Sequence, residues 1–253
     1  SEVAKLALIV LLAKYFSQRH IHIYHISHII VSGIYAAIPV FIILAQPDLG
    51  SASILVLIWL GILMTAGINR KQFFMLAVLG LGLAYSGWIF ALKPYQKERL
   101  VSFVNPYKDP TGIGYNIIQS KIAIGSAGLF GNGWNNGSQA TLGFLPEPHN
   151  DFVFASMVEQ FGFVGAVIFI SGVSFVIFRI FRIGEASGNN FGKLFSLGLV
   201  IMIWGHTFIT AGFNIGILPI TGIPSSFLSY GGSNLVAIMI GLASVKPQFV
   251  IFI

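Results

Sequence analysis

Long apolar stretches separated by short polar connections fill this chain. A helix needs about 20 apolar residues to cross a bilayer, and about seven stretches approach that length: 3–16, 29–45, 52–68, 73–92, 152–181, 194–213 and 227–251. The pattern predicts an all-α fold, a polytopic membrane helix bundle forming a single domain over 1–253. The first stretch is short. The fifth is long enough that its inner end is expected to project into water. One connection, 93–150, is far longer than the others and rich in Gly, Asn and Pro, and loops of that length are usually functional or disordered. Its middle, IIQSKIAIGSAGL at 117–129, is too apolar for a solvated loop and too short to span. It reads as a re-entrant or interfacial segment, which only surrounding protein can tolerate. A second connection, 214–233, has the same Gly/Pro texture. Two irregular segments on one side suggest a cavity open to that side.

Composition agrees with a membrane protein. Hydrophobic residues make up 55% of the 253 and charged residues 9%, against about 25% charged in soluble domains. Cysteine is absent, which excludes disulfides, a thiol nucleophile and thiolate metal sites. The net charge of +6 does not point to nucleic acid, because the basic residues are scattered among the spans. Lys14, Arg19, Arg70, Lys71, Arg179, Arg182, Lys193 and Lys246 fall on one side if the spans alternate, and the positive-inside rule makes that side cytoplasmic. Glu2, Asp48, Glu98, Asp109, Glu147 and Asp151 fall at the outer ends, with Glu185 the cytoplasmic exception. The long connection 93–150 is therefore extracytoplasmic. The chain opens on Ser1-Glu2 without Met and closes within an apolar run, so it is expected to be a fragment of a longer protein.

Candidate chemistry concentrates at the end of the long connection, LPEPHND at 145–151. Asp151 sits where a polar loop meets the fifth span. A carboxylate there could simply stabilise the helix N-terminus. Glu147 and His149 precede it, however, and Glu159 follows eight residues on, about 12 Å deeper and near the same helix face. An acid at that depth is costly and usually functional. Glu2 and Lys5, three apart, share a helix face and read either as an ion pair or as cavity lining. Asp48, in QPDLG at 46–50, reads equally as a helix cap. The run His20, His22, His25 and His28 could bind metal, but its cytoplasmic position favours an interfacial connector. His206, alone in the sixth span, reads as a packing residue. The glycines 125, 128, 131 and 133 have no following GK[ST] and do not form a phosphate loop.

Several stretches together resemble the SEDS (shape, elongation, division and sporulation) family of polytopic membrane proteins. They are SEVAK at 1–5, QPDLG at 46–50, VNPYKDPTGIGYNIIQSKIAIGS at 104–126, FLPEPHNDFVFA at 144–155, VEQFGFVG at 158–165, LPITGIP at 218–224 and FLSYGGS at 227–233. QPDLG and LPITGIP favour the elongation branch. The chain departs from the pattern in a shortened stretch between Gly216 and Leu218, in Ser225-Ser226, Ala127 and Asn132, and after Leu242.

The resemblance implies about ten spans, so roughly three would precede Ser1. It also implies a peptidoglycan glycosyltransferase of the bacterial inner membrane that polymerises lipid II into glycan strands during elongation, with its active site facing outside. A class B penicillin-binding protein transpeptidase would be its partner. Asp151 matches the family's essential aspartate and is the expected general base. Glu2 and Lys5 match the acid and base of its central cavity. Lys5, Arg99 or Lys121 would hold the pyrophosphate, or a divalent cation (Mg or Mn) bound by the acids would do so. Asp48, Glu147, His149 and Glu159 complete the expected lining. Two other readings stay open at this point: a lipid II flippase, and a truncated remnant without activity.

Overall fold

A computed structural model of the protein describes residues 1–18, 26–109 and 112–245. Every regular element among them is helical: α1 Glu2–Ser17, α2 Ile26–Ala45, α3 Leu49–Ala66, α4 Arg70–Ser86, α5 Pro94–Val104, α6 Ile113–Ser126, α7 Ser138–Thr141, α8 Val153–Ala186, α9 Asn190–Ile215 and α10 Gly232–Ser244. A π turn, Gly87–Ala91, extends α4, and a 3-10 turn, Pro106–Lys108, follows α5. Five segments are long and apolar enough to cross a membrane: Ile26–Ala45, Leu49–Ala66, Arg70–Phe90, Val153–Ala186 and Asn190–Ile215. The two terminal stretches expected to span form shorter helices among the described residues. The expected run 227–251 begins later than its hydropathy suggests, because 227–231 are turn, bend and irregular backbone and helix starts only at Gly232.

The chain divides into two compact units. The first comprises Ser1–Gly82, Phe175–Gly205 and Gly232–Ile253. Its core is aliphatic: Ile9, Leu12, Ile54, Leu55, Ile58, Ile62, Leu63, Leu199 and Ile238 are shut off from solvent. Small residues let the helices approach. A Cβ on Gly198 of α9 would stand 2.7 Å from Ile9 of α1 and 3.1 Å from Ile62 of α3, the close packing that glycine permits where apolar burial offers no drive between helices in lipid. Asp48 caps α3 by accepting the Ser51 N–H at 2.9 Å, and Gly67, at φ +104°, ends it in the left-handed region that glycine enters without strain. Trp59 of α3 donates its indole N–H to Ser32 of α2 at 3.1 Å.

The second unit comprises Leu83–Ser174 and His206–Gly231. The expected loop 93–150 is largely helical here. Asp109 receives the N–H groups of Gly112 and Ile113 at 3.0 and 2.8 Å, so α6 starts on a carboxylate cap. The buried face of α6 carries Gly114, Ile117, Ser120 and Ala123, while Ile122 and Leu129 of the apolar stretch 117–129 are exposed. Behind it, Ala127, Phe154, Val158 and Ala166 form a buried cluster, with Ile124, Phe169 and Leu228 packed against it.

The expected fifth span is not one continuous helix. At Gly162 the backbone leaves helical geometry, with φ +70° and ψ −166°, a region essentially restricted to glycine. The broken helical hydrogen bonds are replaced from the loop after α6. Phe163 and Val164 donate to the carbonyls of Gly128 and Leu129 at 3.0 and 3.1 Å, while the carbonyls of Glu159 and Gln160 accept from Asn132 and Gly133 at 2.9 and 3.1 Å. The two backbones touch, so a Cβ on Gly162 would collide with the main chain of Gly131 and Leu129.

Gly162→Ala is therefore expected to destabilise the protein by at least about 1–3 kcal/mol through backbone strain, with the collision adding to it. Gly172→Ala, where a Cβ meets nothing within 4 Å, serves as the control. Thermal unfolding of the two purified full-length variants should show a lowered Tm for the first and none for the second.

Candidate active site

Asp151 sits on a tight turn between Leu145 and α8. Leu145 is buried and donates its N–H to the Gln139 carbonyl at 2.8 Å, which anchors the approach. Glu147, at φ +45°, then reverses the chain. Its carbonyl accepts from the N–H groups of Asn150 and Phe152 at 3.1 and 3.3 Å, and its carboxylate accepts from the Asn150 amide at 2.8 Å. Phe152 leaves the turn into the core, meeting Phe213 of α9 edge-on at 5.9 Å. With its neighbours held on both sides, Asp151 is left half-buried at the surface of the unit.

Asn214, wholly buried near the end of α9, ties this turn to the rest of the unit. Its side-chain oxygen accepts the Ala155 N–H at 3.0 Å, and its amide nitrogen donates to the Asp151 carbonyl at 3.0 Å and to the Thr210 carbonyl at 2.8 Å. Ser120 of α6 donates to the Asn214 carbonyl at 2.7 Å. The loop after α9 returns over the same place. Gly222, at φ +68°, brings its main chain so close that a Cβ would lie 3.8 Å from the Asp151 carboxylate. Any side chain at 222 would thus enter the space in front of the acid.

Five acids are not exposed: Glu2, Asp48, Asp109, Asp151 and Glu159. Four of them have carboxylate oxygens engaged by protein donors. Asp151 differs, because among the described residues no protein group donates to its carboxylate. Its lone pairs remain available to a proton from elsewhere. Burial pushes the Asp151 carboxyl above the ordinary carboxylate range, since desolvation disfavours the ionised form. The Arg99 guanidinium draws it back down, and the Glu147 charge adds to the rise. Arg99, on α5, lies 5.9 Å from the centre of the Tyr95 ring and acts on Asp151 without closing an ion pair.

The remaining expected residues have definite places. His149 is exposed; its carbonyl accepts the Tyr230 N–H at 3.1 Å, and it lines a shallow cleft with Val153, Leu228, Ser229 and Tyr230. Lys121 is exposed on α6 with its ammonium end against Gly216. Glu159 is fully buried, but both its oxygens are occupied: they accept the N–H groups of Gln139 and Ala140 at 2.8 and 3.1 Å. That pins the start of α7 and gives the acid a structural task. In the first unit, Lys5 and Glu2 form a buried ion pair at 2.5 Å, and the Asp48 charge also acts on Lys5. His206 bonds the Pro224 carbonyl through Nδ1 at 3.2 Å, as a packing residue would. His28 bonds the Tyr15 hydroxyl at 2.9 Å. Arg19, His20, His22, His25 and Lys246 lie outside the described residues. No group of three or more His, Asp and Glu side chains gathers as a metal site among the described residues.

Asn214 and Gly222 were not singled out in the sequence. An asparagine closing an apolar span is a signal, because a polar side chain there needs partners, but it reads as the start of the next loop. Gly222 belongs to a Gly/Pro-rich stretch in which no glycine stands apart.

Comparison with known proteins adds to this geometry. A family model described as "Cell cycle protein", for FtsW, RodA and SpoVE, matches residues 1–246. The peptidoglycan glycosyltransferase MrdB of Escherichia coli (strain K12) is 36% identical over 245 residues, 97% of this chain and 66% of MrdB. Stage V sporulation protein E of Bacillus subtilis (strain 168) is 35% identical over 243 residues, 96% of this chain and 66% of that protein. The chain thus spans just under two thirds of the length of these relatives. Among solved structures, a chain from work on structural coordination of polymerization and crosslinking by a peptidoglycan synthase complex matches with TM-score 0.79 and 32% identity, over 96% of this chain and 67% of that one. An aspartate-to-alanine mutant of the Thermus thermophilus rod shape determining protein RodA shares the fold, with TM-score 0.64 and 24% identity over 98% of this chain and 65% of that one.

The occupied carboxylate of Glu159 yields a direct test. Glu159→Gln keeps the volume but turns an NH2 group toward a main-chain donor, leaving one buried N–H unpaired. A loss of about 1–3 kcal/mol in stability is expected, with earlier proteolytic cleavage in the segment around 137–140, readable by limited proteolysis of the full-length variant.

Proposed function

Because the chain belongs to the FtsW, RodA and SpoVE family of cell cycle proteins, we propose that the protein is a peptidoglycan glycosyltransferase that polymerises lipid II during cell elongation. Asp151 is its general base. The reading rests on one observation above all: among the described residues, Asp151 is the half-buried acid whose carboxylate no protein donor occupies. A base must have a lone pair free for the incoming proton, and burial brings its basicity toward the operating pH.

The reaction joins an acceptor sugar hydroxyl to the anomeric carbon of a pyrophosphate-linked donor. Asp151 takes the hydroxyl proton as the new C–O bond forms, and the bond to pyrophosphate breaks with its electron pair leaving on phosphate. Attack opposite the leaving group inverts the anomeric centre. The leaving charge needs a positive partner. Of Lys5, Arg99 and Lys121, Arg99 best suits that role, because its charge acts on Asp151 while Lys5 is paired with Glu2. A magnesium or manganese ion could share the task, since such ions bind through one or two carboxylates plus substrate phosphates; Asp151 and Glu147 are the acids available. The protein is a multi-pass membrane protein. We place it in the bacterial inner membrane with Asp151 facing outside, beside a class B penicillin-binding protein that crosslinks the product.

Asp151→Asn in the full-length protein, assayed with its transpeptidase partner on purified lipid II, is expected to lose at least about 10²–10⁴-fold in glycan polymerisation. Unchanged polymerisation would sink the assignment, while retained lipid translocation with no polymer formed by wild type would favour a flippase. The wild-type rate should rise with pH through the raised ionisation of Asp151, because only the carboxylate accepts a proton. Glu147→Gln removes a charge that opposes ionisation, so the acidic limb of its pH–rate profile is expected to move to lower pH.

A further inference from the structure

Asn214 takes no part in the chemistry above, yet it satisfies all of its own amide groups at one place. Its oxygen serves an N–H in the first turn of α8, and its NH2 group bridges the carbonyls of Asp151 and Thr210. The carbonyl that follows the Asp151 Cα is thereby fixed to α9, and α9 is fixed at the same residue to α6 through Ser120. The same peptide is held on its other side by the Phe152 N–H, which donates to the Glu147 carbonyl at 3.3 Å, whereas the Asp151 side chain receives no hydrogen bond among the described residues and Gly222 beside it contributes no side chain. The direction of the carboxylate therefore depends on the main chain beneath it.

We propose that Asn214 is the positioning residue for Asp151: its buried amide locks the peptide after Asp151 and the first turn of α8, so that the carboxylate faces the acceptor hydroxyl. This rests on Asp151 being the base. Reaction geometry is exacting, and a displacement of about 1 Å can cost roughly 100-fold in rate. Binding of the donor's polyprenyl chain and pyrophosphate does not pass through this amide, so the effect belongs to turnover and not to affinity.

The test uses full-length protein with its transpeptidase partner and purified lipid II, comparing wild type, Asn214→Ala, Asn214→Ser and Asp151→Asn. Serine is included because its hydroxyl can bond back to the Thr210 carbonyl within the helix, so that only the Ala155 N–H and the Asp151 carbonyl lose their partner, a milder change should the alanine variant fail to fold. For the folded variants, kcat is expected to fall about 10–100-fold with KM for lipid II within about twofold of wild type, the pattern of a group needed only in the transition state. The acidic limb of the pH profile should also move to lower pH, because a released Asp151 is better hydrated. The charged or titratable groups around it, Arg99 on α5, Glu147 and His149 in its own turn and Tyr230 in the loop after α9, stay unchanged. A variant that merely reduced the folded fraction would scale the profile without moving it. A folded Asn214→Ser with wild-type kcat, a rise in KM at constant kcat, or an unmoved acidic limb each overturns the proposal. If Asp151→Asn is inactive and Asn214→Ser is unimpaired, the positioning role alone falls; if Asp151→Asn is fully active, the base assignment falls and takes this role with it.

Discussion

Main-chain hydrogen bonding is the constraint on which the second unit depends. In an apolar environment an N–H or C=O without a partner costs several kcal/mol, so a chain of this composition can leave helical geometry only where another segment takes over the bonds. The structure shows three such places in succession along α8. At its start, Asn214 receives the Ala155 N–H and holds the Asp151 carbonyl. At Gly162, the carbonyls of Gly128 and Leu129 replace those a continuous helix would have used. Between them, Glu159 reaches out to the first N–H groups of α7. At Gly162 the exchange is reciprocal, because residues 128–133 that supply the partners are otherwise irregular and need partners themselves.

That arrangement gives a loop residue the rigidity of a helical one. Catalytic groups on loops are easily supplied but imprecisely held, and sites work best on elements locked by their surroundings. Asp151 is formally in a turn, yet Glu147, Phe152 and Asn214 hold the peptides on either side of it. The electrostatics follow from the same placement. Half-burial raises the basicity of the carboxylate, and Arg99 limits the rise from a distance too great for an ion pair. A closed pair would have taken the lone pairs that a base requires.

Much of the fold could be read from hydropathy and length, and the reasons for the misses are physical. Apolar runs at 29–45, 52–68 and 194–213 correspond closely to α2, α3 and α9, and the family motifs were visible residue by residue. The N-cap at Asp48 was readable because a cap is a local event, an acid just before an apolar run. The break at Gly162 was not readable: FGFVG has the hydropathy of a continuous span, and what breaks it is a backbone contact with residues more than thirty positions earlier. The connection 93–150 reads as irregular outside its apolar middle at 117–129, because its glycines and prolines mask the period of the helices there. Glu159 reads from the sequence as lining a functional cavity, on the argument that deeply placed acids are usually functional. Its partners are two backbone N–H groups supplied by a distant segment, and no pattern in its own neighbourhood announces them.

The distribution of hydrogen-bond donors among the acids carries the argument further than burial does. Glu2 and Glu159 are more deeply buried than Asp151, and on depth alone either would be the stronger candidate for a perturbed, reactive carboxylate. Depth obliges a charge to find a partner, however, and each has found one: Lys5 for Glu2, two peptide groups for Glu159. A carboxylate so engaged is a poor proton acceptor, because taking a proton would break the bonds that permit its burial. Asp151 lies at the depth where desolvation already raises its basicity but does not yet compel a partner. In a membrane protein that intermediate zone is narrow, and the turn between Leu145 and α8, stapled by Asn214 and left uncovered by the missing side chain of Gly222, keeps one acid inside it.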